Sequence, residues 1–275
     1  MKPSRSQKVL TYTMLVLFAI ILVTPFYYMV VTSLKSNDEA SVPAIDLLVR
    51  HPTTLPYQDL LKGSLFLRSA INSLLIALAS TVGSIVLCPL AGYAFAKHRF
   101  PGRDFLFISL LATMMIPGTV LMVPGFLLFR DFGWLDTWLP LIVPGLAGVF
   151  GVFLSRQFIE KLPDSLIDSA KMDGLPEWGI FTRIVMPLSK PLLATLGIFT
   201  FLGSWNNFLG PLIILQDEKK FTLPLVIAML QGRFQGKENV QMAGAVMSIV
   251  PVLIIFFIFQ KQIVESLAST GLKDG

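Results

Sequence analysis

Long apolar stretches alternate with short polar connections along the chain. Six of these stretches approach or exceed the length that a helix, rising about 1.5 Å per residue, needs to cross about 30 Å of hydrocarbon. We place the predicted spans at residues 9–31, 70–96, 105–129, 139–154, 192–215 and 242–259, of which the fourth is the shortest. The pattern predicts an all-α integral membrane protein with six transmembrane helices and both chain ends on one side of the membrane.

Composition agrees with a membrane location. Of the 275 residues, 54% are hydrophobic and 14% are charged, whereas a soluble domain carries about 25% charged residues. The net charge of +5 does not indicate nucleic-acid binding, because the basic residues are scattered and form no face with interleaved aromatic side chains. Cys88 is the single cysteine, so the chain alone builds neither a disulfide nor a thiolate metal site.

The predicted spans lack the residue types that several membrane functions require. None of the six contains Asp, Glu, Lys, Arg or His, and an ion-coupled secondary transporter usually carries such a residue at membrane depth. The sequence also contains no H-E-x-x-H, G-x-S-x-G or phosphate-loop motif. We therefore expect no catalytic residue, no metal site and no bound cofactor in this chain, and a partner that supplies the energy for any uphill transport.

Basic residues near the span ends predict the orientation. With the N-terminus in the cytoplasm, the short connection after the second span places Lys97, Arg99 and Arg103 inside, as the positive-inside tendency requires. We expect these three side chains to anchor the chain at the cytoplasmic surface.

The longest inside connection, residues 156–190, has the pattern of two short helices. Pro163 followed by Asp164 predicts a helix start, because proline suits the first turn and a carboxylate there complements the helix dipole. Gly174 predicts the end of this helix, since glycine readily adopts the left-handed conformation. A second short helix is predicted over residues 176–186, before the next proline.

The segment DSAKMDG at residues 168–174 resembles the EAA loop of ATP-binding cassette (ABC) importer permeases, whose pattern is E-A-A-x-x-x-G followed after nine residues by I-x-L-P. The chain departs from the pattern in its shorter acid and in a serine that replaces the first alanine. Segments that begin at residues 71, 91, 111, 197 and 259 are similar to the maltose-type second permease subunit of carbohydrate importers. The resemblance implies that the residues coupling the chain to an ATPase are Asp168, Ser169, Ala170, Asp173 and Gly174.

The resemblance implies a type I ABC importer permease that moves a sugar across the bacterial cytoplasmic (inner) membrane, with both termini cytoplasmic. The implied partners are a homologous second permease subunit, two ATPase subunits that hold ATP and Mg²⁺, an extracytoplasmic sugar-binding protein and membrane lipid. The implied organisation is an N-terminal tail with the first span, an extracytoplasmic loop, the permease core and a cytoplasmic tail, at residues 1–34, 35–68, 69–262 and 263–275. An ion-coupled transporter, a permease for a polyol phosphate such as glycerol 3-phosphate, and a membrane scaffold are the alternatives.

A polar cluster is predicted near the middle of the fifth span. Amide and hydroxyl groups at bilayer depth either hold helices together or line a hydrated path, where amides bond sugar hydroxyls and an indole ring stacks on a sugar. Both roles remain open for the cluster, which consists of Ser204, Trp205, Asn206 and Asn207.

Overall fold

The computed structural model describes residues 4–40, 46–234 and 236–271, with side chains described as far as residue 260. These residues contain no β-strand, and the regular structure is helical, as expected for the all-α class. In chain order the helices are α1 (Arg5–Ser33), α2 (Asn37–Ala40), α3 (Leu55–Leu61), α4 (Ser64–Lys97), α5 (Arg103–Ala112), α6 (Met122–Asp131), α7 (Leu139–Ile142), α8 (Val149–Ile159), α9 (Asp164–Met172), α10 (Glu177–Ile180), α11 (Met186–Leu188), α12 (Lys190–Trp205), α13 (Leu209–Ile214), α14 (Leu223–Arg233) and α15 (Glu238–Gly271).

Within the described residues, four helical segments are long and apolar enough to cross a membrane. They are Arg5–Ser33, Ser64–Lys97, Leu139–Ile159 and Glu238–Gln260, and they match the first, second, fourth and sixth predicted spans. A fifth span results if the pair Glu177–Leu188 and Lys190–Trp205, which is bent by 79°, counts as one. The count of six stays a prediction.

The third predicted span, residues 105–129, is wrong as a continuous helix. Helix α5 ends at Ala112, a 3₁₀ turn follows, and α6 begins only at Met122. Pro117 explains the break, because it has no N–H to donate and its ring clashes with the carbonyl four residues earlier.

The fifth predicted span, residues 192–215, is likewise interrupted. Helix α12 ends at Trp205 and α13 begins at Leu209. Pro211 excludes a helical bond to the carbonyl of Asn207, and the asparagine side chain competes for backbone groups, so the helix breaks where these residues meet. The polar cluster therefore lies at a helix break and not in the middle of a span.

Two further boundaries differ from the expectation. Helix α8 continues to Ile159, so Arg156 lies on this helix and the connection to α9 begins four residues later than expected. Helix α15 continues to Gly271, beyond the point where the C-terminal tail is expected to begin. Residues 1–3, 41–45 and 272–275, which belong to the predicted terminal and extracytoplasmic segments, lie outside the described residues.

The chain forms two compact units. One joins the N-terminal part, up to Arg68, to Val226–Pro251, and the other contains Ser69–Leu225 and the chain from Val252 onward. In the first unit, the buried Asn239 donates from Nδ2 to the backbone oxygen of Lys35 at 2.9 Å and to Oδ1 of Asn37 at 3.0 Å. A buried amide needs such acceptors, so Asn239 fastens the start of α15 to the segment after α1.

Glycines bring α4 and α8 close together in the second unit. A Cβ on Gly92 would meet the Cβ of Ser155 at 2.4 Å, and one on Gly151 would meet Sγ of Cys88 at 2.5 Å. Small residues at such crossings let helix backbones approach, which is the usual way membrane helices pack. The core beside this crossing includes buried side chains from α4, α8, α9 and α10.

A carboxylate fastens two connections of the same unit. Asp136, a non-glycine residue with a φ of 54°, accepts hydrogen bonds from the N–H groups of Gln216 and Asp217, both at 3.0 Å. Lys220 Nζ donates to its Oδ2 at 2.6 Å. The N–H of Asp217, with Lys220 and the N–H of Gln216, lowers the pKa of Asp136 to about 2. The Asp136 carboxylate therefore holds the segment before α7 against the segment after α13.

Candidate functional site

The predicted helix with the EAA-like segment is present as α9, which runs Asp164–Met172 directly after Pro163. Gly174 has a φ of 78°, in the left-handed region that glycine favours. Its N–H donates to the oxygen of Lys171, and the N–H of Leu175 donates to the oxygen of Ala170, both at 3.0 Å. These two bonds form a Schellman motif, so Gly174 ends α9 as expected.

Helix α9 has a buried face and an exposed face. Ile167 and Ala170, three residues apart, are buried in the core of the second unit, whereas Asp168 and Ser169 are exposed. Met172 is 90% exposed at the end of the helix. The exposed face of α9 is therefore accessible to a partner.

The second short helix of the connection is longer than expected. Helix α10 begins at Glu177, continues through a π-helical turn at Phe181–Val185 and ends with α11 at Leu188, one residue beyond Pro187. Pro187 has no N–H to donate to the carbonyl four residues earlier, and the wider π turn before it relieves the clash between its ring and that carbonyl. We call residues 164–188 the α9–α11 unit.

Polar contacts join the α9–α11 unit to the end of α4. Lys97 Nζ donates to Oδ1 of Asp164 at 2.6 Å, and Tyr93 Oη donates to Oε2 of Glu177 at 2.9 Å. The hydrogen bond from Lys97 lowers the pKa of Asp164. Sequence reasoning assigned Lys97 to the membrane surface and overlooked Glu177, although the acid at the start of a short helix was a visible signal.

The cluster expected to line a path is divided by the helix break. Trp205 is 3% exposed and stacks on Phe201, with ring centroids 5.8 Å apart, so its ring faces are not free to hold a sugar. Asn207 Oδ1 accepts the N–H of Gly210 at 3.2 Å, at the start of α13. Asn206 is exposed, and Ser204 is half-buried. The structure thus leaves Asn206 as the most accessible member of the cluster.

No three His, Cys, Asp or Glu side chains lie together in the described part of the chain in a way that could hold a metal ion. The arrangement defines a helical membrane protein in which an amphipathic helix packs one face on a core formed with α4, α8 and α10 and leaves the other face exposed. Such a helix can receive a mechanical displacement from a partner.

Comparison with known proteins identifies the family. The chain belongs to the binding-protein-dependent transport system inner membrane components, whose family model matches residues 89–268. It is 35% identical over 253 residues to the arabinooligosaccharides transport system permease protein AraQ of Bacillus subtilis (strain 168), covering 90% of each chain. It is 35% identical over 196 residues to the lactose transport system permease protein LacG of Rhizobium radiobacter, covering 71% of this chain and 72% of LacG.

A solved structure has the same fold. It is a bacterial ABC transporter involved in the import of the acidic polysaccharide alginate, and one of its chains superposes with a TM-score of 0.85 at 27% identity, covering 95% of this chain and 99% of that one. The protein is therefore an inner membrane component of a binding-protein-dependent transport system, and its family consists of transport permease subunits.

Proposed function

We propose that this chain is the permease subunit of an ABC importer that moves an oligosaccharide or a related carbohydrate across the bacterial cytoplasmic membrane. The observation that carries the proposal is the similarity to AraQ, which extends over 90% of the chain. The similarities to LacG and to the alginate importer support a carbohydrate substrate. ATP and Mg²⁺ are held by a separate ATPase, and the chain itself binds no cofactor and catalyses no reaction.

Helix α9 is the element through which the ATPase acts. Its buried residues, Ile167 and Ala170, hold it on the permease, while the exposed Asp168 and Met172 contact a cleft on the ATPase. When two ATPase subunits close on ATP, they displace α9, and the displacement tilts the spans between outward-open and inward-open states. A homologous second permease subunit completes the path, and an extracytoplasmic binding protein delivers the sugar.

The orientation follows from the same assignment. For α9 to meet a cytoplasmic ATPase, both termini and the connection that holds Lys97 and Arg99 must be cytoplasmic, in agreement with the positive-inside tendency. The break near Asn206 then belongs to the outer part of the second unit's spans, where an exposed amide is available to sugar hydroxyls.

A polyol phosphate is the second candidate substrate. The chain is 28% identical over 272 residues to the sn-glycerol-3-phosphate transport system permease protein UgpE of Agrobacterium fabrum, covering 96% of each chain. That identity is lower than the 35% shared with AraQ, so we favour the carbohydrate. An ion-coupled mechanism is not favoured, because the predicted spans contain no ionisable side chain.

The test is purification of the tagged chain with its native partners, followed by reconstitution into vesicles. We expect an ATPase to co-purify, and ATP-dependent uptake of a labelled arabinooligosaccharide when the binding protein is present. Uptake of labelled glycerol 3-phosphate in place of the arabinooligosaccharide would show that the substrate is a polyol phosphate and not a carbohydrate. Transport by the chain alone under a proton gradient would refute the assignment to an ABC importer.

A further inference from the structure

We infer that Lys97 and Glu177 are positioning residues that fasten the starts of α9 and α10 to the last turns of α4, so that α4 moves with the α9–α11 unit as one body. The inference rests on the proposed function of α9 as the element displaced by the ATPase. Beyond that function, the inference identifies α4 as the span that receives the displacement, and Lys97 and Glu177 as the side chains that transmit it.

Lys97 holds the beginning of the unit. Its side chain is 8% exposed, and Nζ donates to the backbone oxygens of Glu160 and Leu162 at 3.3 and 2.7 Å, in addition to Oδ1 of Asp164 at 2.6 Å. An ammonium has three protons to donate, and all three are used here. The positive charge also complements the C-terminal end of α8, so one residue of α4 ties the end of α8 to the first residue of α9.

Glu177 holds the unit at the start of α10. Its Oε2 accepts the Tyr93 hydroxyl at 2.9 Å and lies 3.5 Å from Nε2 of His98, and its Oε1 lies 3.3 Å from Nζ of Lys171. Tyr93 is 4% exposed, and a buried tyrosine hydroxyl requires a partner. Glu177 therefore links α4 and the last turn of α9 to the first residue of α10.

Both contacts come from the same face of α4. Tyr93 and Lys97 are four residues apart, a spacing that places two side chains on one side of a helix. Between the two attachments, Ile167 and Ala170 are buried in the core that contains Tyr93, and just beyond the second attachment the Tyr93 and Phe181 ring centroids lie 5.8 Å apart. Two polar attachments with an apolar contact between them leave the unit little freedom to rotate against α4.

A role as a membrane-surface anchor explains Lys97 poorly. An anchoring lysine extends its ammonium into water or among lipid headgroups, whereas the ammonium of Lys97 is buried among backbone oxygens. Arg99, two residues further on, is exposed and forms no hydrogen bond or ion pair within the described part of the chain. It is therefore a matched control, because replacing it removes the same charge from the same connection.

The first test is a distance measurement on the complete transporter. Spin labels are attached at Arg99→Cys and at Thr182→Cys, an exposed residue of the α9–α11 unit outside the proposed ATPase contact; the native Cys88 is buried and so is not expected to be labelled. We expect the same label-to-label distance without nucleotide and in an ATP-trapped state, and a broadened distribution when Lys97→Met is added. A shift of the distance between the two states in the otherwise unaltered protein would overturn the inference, whatever the variants do.

The second test uses ATPase activity in the reconstituted complex, with and without binding protein and sugar. We expect Lys97→Met and Glu177→Ala to reduce the stimulation about tenfold, within the usual range of coupling between sites, while subunits stay assembled. Arg99→Met should leave the stimulation unchanged. Glu177→Gln should keep most of the stimulation that Glu177→Ala loses. Its amide oxygen still accepts the Tyr93 hydroxyl, and the exposed ion pairs that it loses contribute little.

The outcomes separate this inference from the proposed function. If Asp168→Lys abolishes stimulation but Lys97→Met and Glu177→Ala do not, α9 still couples to the ATPase and only the fastening to α4 is refuted. If Asp168→Lys also leaves stimulation intact, the proposed function of α9 fails, and the inference fails with it.

Discussion

Replacing Gly174 with valine should uncouple ATP hydrolysis from transport while the spans stay folded. Gly174 has a φ of 78°, and an added Cβ would meet no atom within 4 Å, so the penalty is backbone strain alone. A residue with a Cβ in this conformation costs about 1–2 kcal/mol. Helix α9 has nine residues, fewer than the roughly 12 that an isolated helix needs to be even marginally stable. Strain of this size therefore frays the end of α9 without affecting a span.

Gly133 provides a matched control. It has a φ of 69° at the end of α6, its N–H donates to the oxygen of Arg130 at 2.9 Å, and the N–H of Trp134 donates to the oxygen of Phe129 at 2.8 Å. The motif is the same as at Gly174, and an added Cβ again meets nothing within 4 Å. Gly133→Val should therefore carry the same strain at a site away from α9.

The assay is reconstituted ATPase activity with and without loaded binding protein, together with sugar uptake. We expect Gly174→Val to lose most of the stimulation and the uptake, and Gly133→Val to keep both. Equal behaviour of the two variants would refute the reasoning. Loss in both would indicate a general effect of strain, and near-normal stimulation in both would mean that α9 does not couple the subunits.

Three further predictions address packing, charge and orientation. Gly92→Val should lower the melting temperature in detergent, because overpacking costs about 1–3 kcal/mol and the neighbour is the backbone and Cβ of α8 at 2.4–2.8 Å; an unchanged Tm would contradict this contact. The Asp136 pKa of about 2 lies below its unfolded value of roughly 4, so this carboxylate stabilises the fold above about pH 4 by up to about 2 kcal/mol and loses the effect towards pH 2. With Asp136→Asn, the free energy of unfolding should depend less on pH over that pH interval. A fall as steep as in the unaltered protein would refute the assignment of this pH dependence to Asp136. In intact cells an impermeant thiol reagent should label Lys237→Cys but not Lys171→Cys, and labelling of the latter would reverse the orientation.

Apolar length and glycine chemistry made much of the fold predictable. Four predicted spans coincide with long apolar helices, because length in an apolar run is the main signal for a span. The end of α9 at Gly174 was predictable for a separate reason, since a left-handed stop depends on one residue and its immediate neighbours. Local signals of this kind do not depend on how the rest of the chain folds.

Helix breaks and long-range contacts were harder to predict. Pro117 interrupts a helix, whereas Pro251 lies inside α15, because a proline's effect depends on whether neighbouring groups satisfy the freed carbonyl. The role of Lys97 depends on the ends of two other helices, more than sixty residues away in the sequence, and no local pattern reports that. The part of the site that was missed is therefore the part built by tertiary contacts.

The geometry of α9 also accounts for the departures from the EAA pattern. Successive helical residues are about 100° apart, so burying Ile167 and Ala170 turns Asp168 and Met172 outward. The small Ala170 lies where the helix meets the core, and the acid lies where a partner can reach it. The serine in place of the first alanine donates its hydroxyl to the oxygen of Ser165 at 2.7 Å, so it requires nothing from the partner. Leu175, directly after Gly174, supplies the apolar contact that accompanies a Schellman motif, because it packs on the same core. Each of these substitutions thus keeps the helix and its stop, and the two that lie on the exposed face are Asp168 and Ser169.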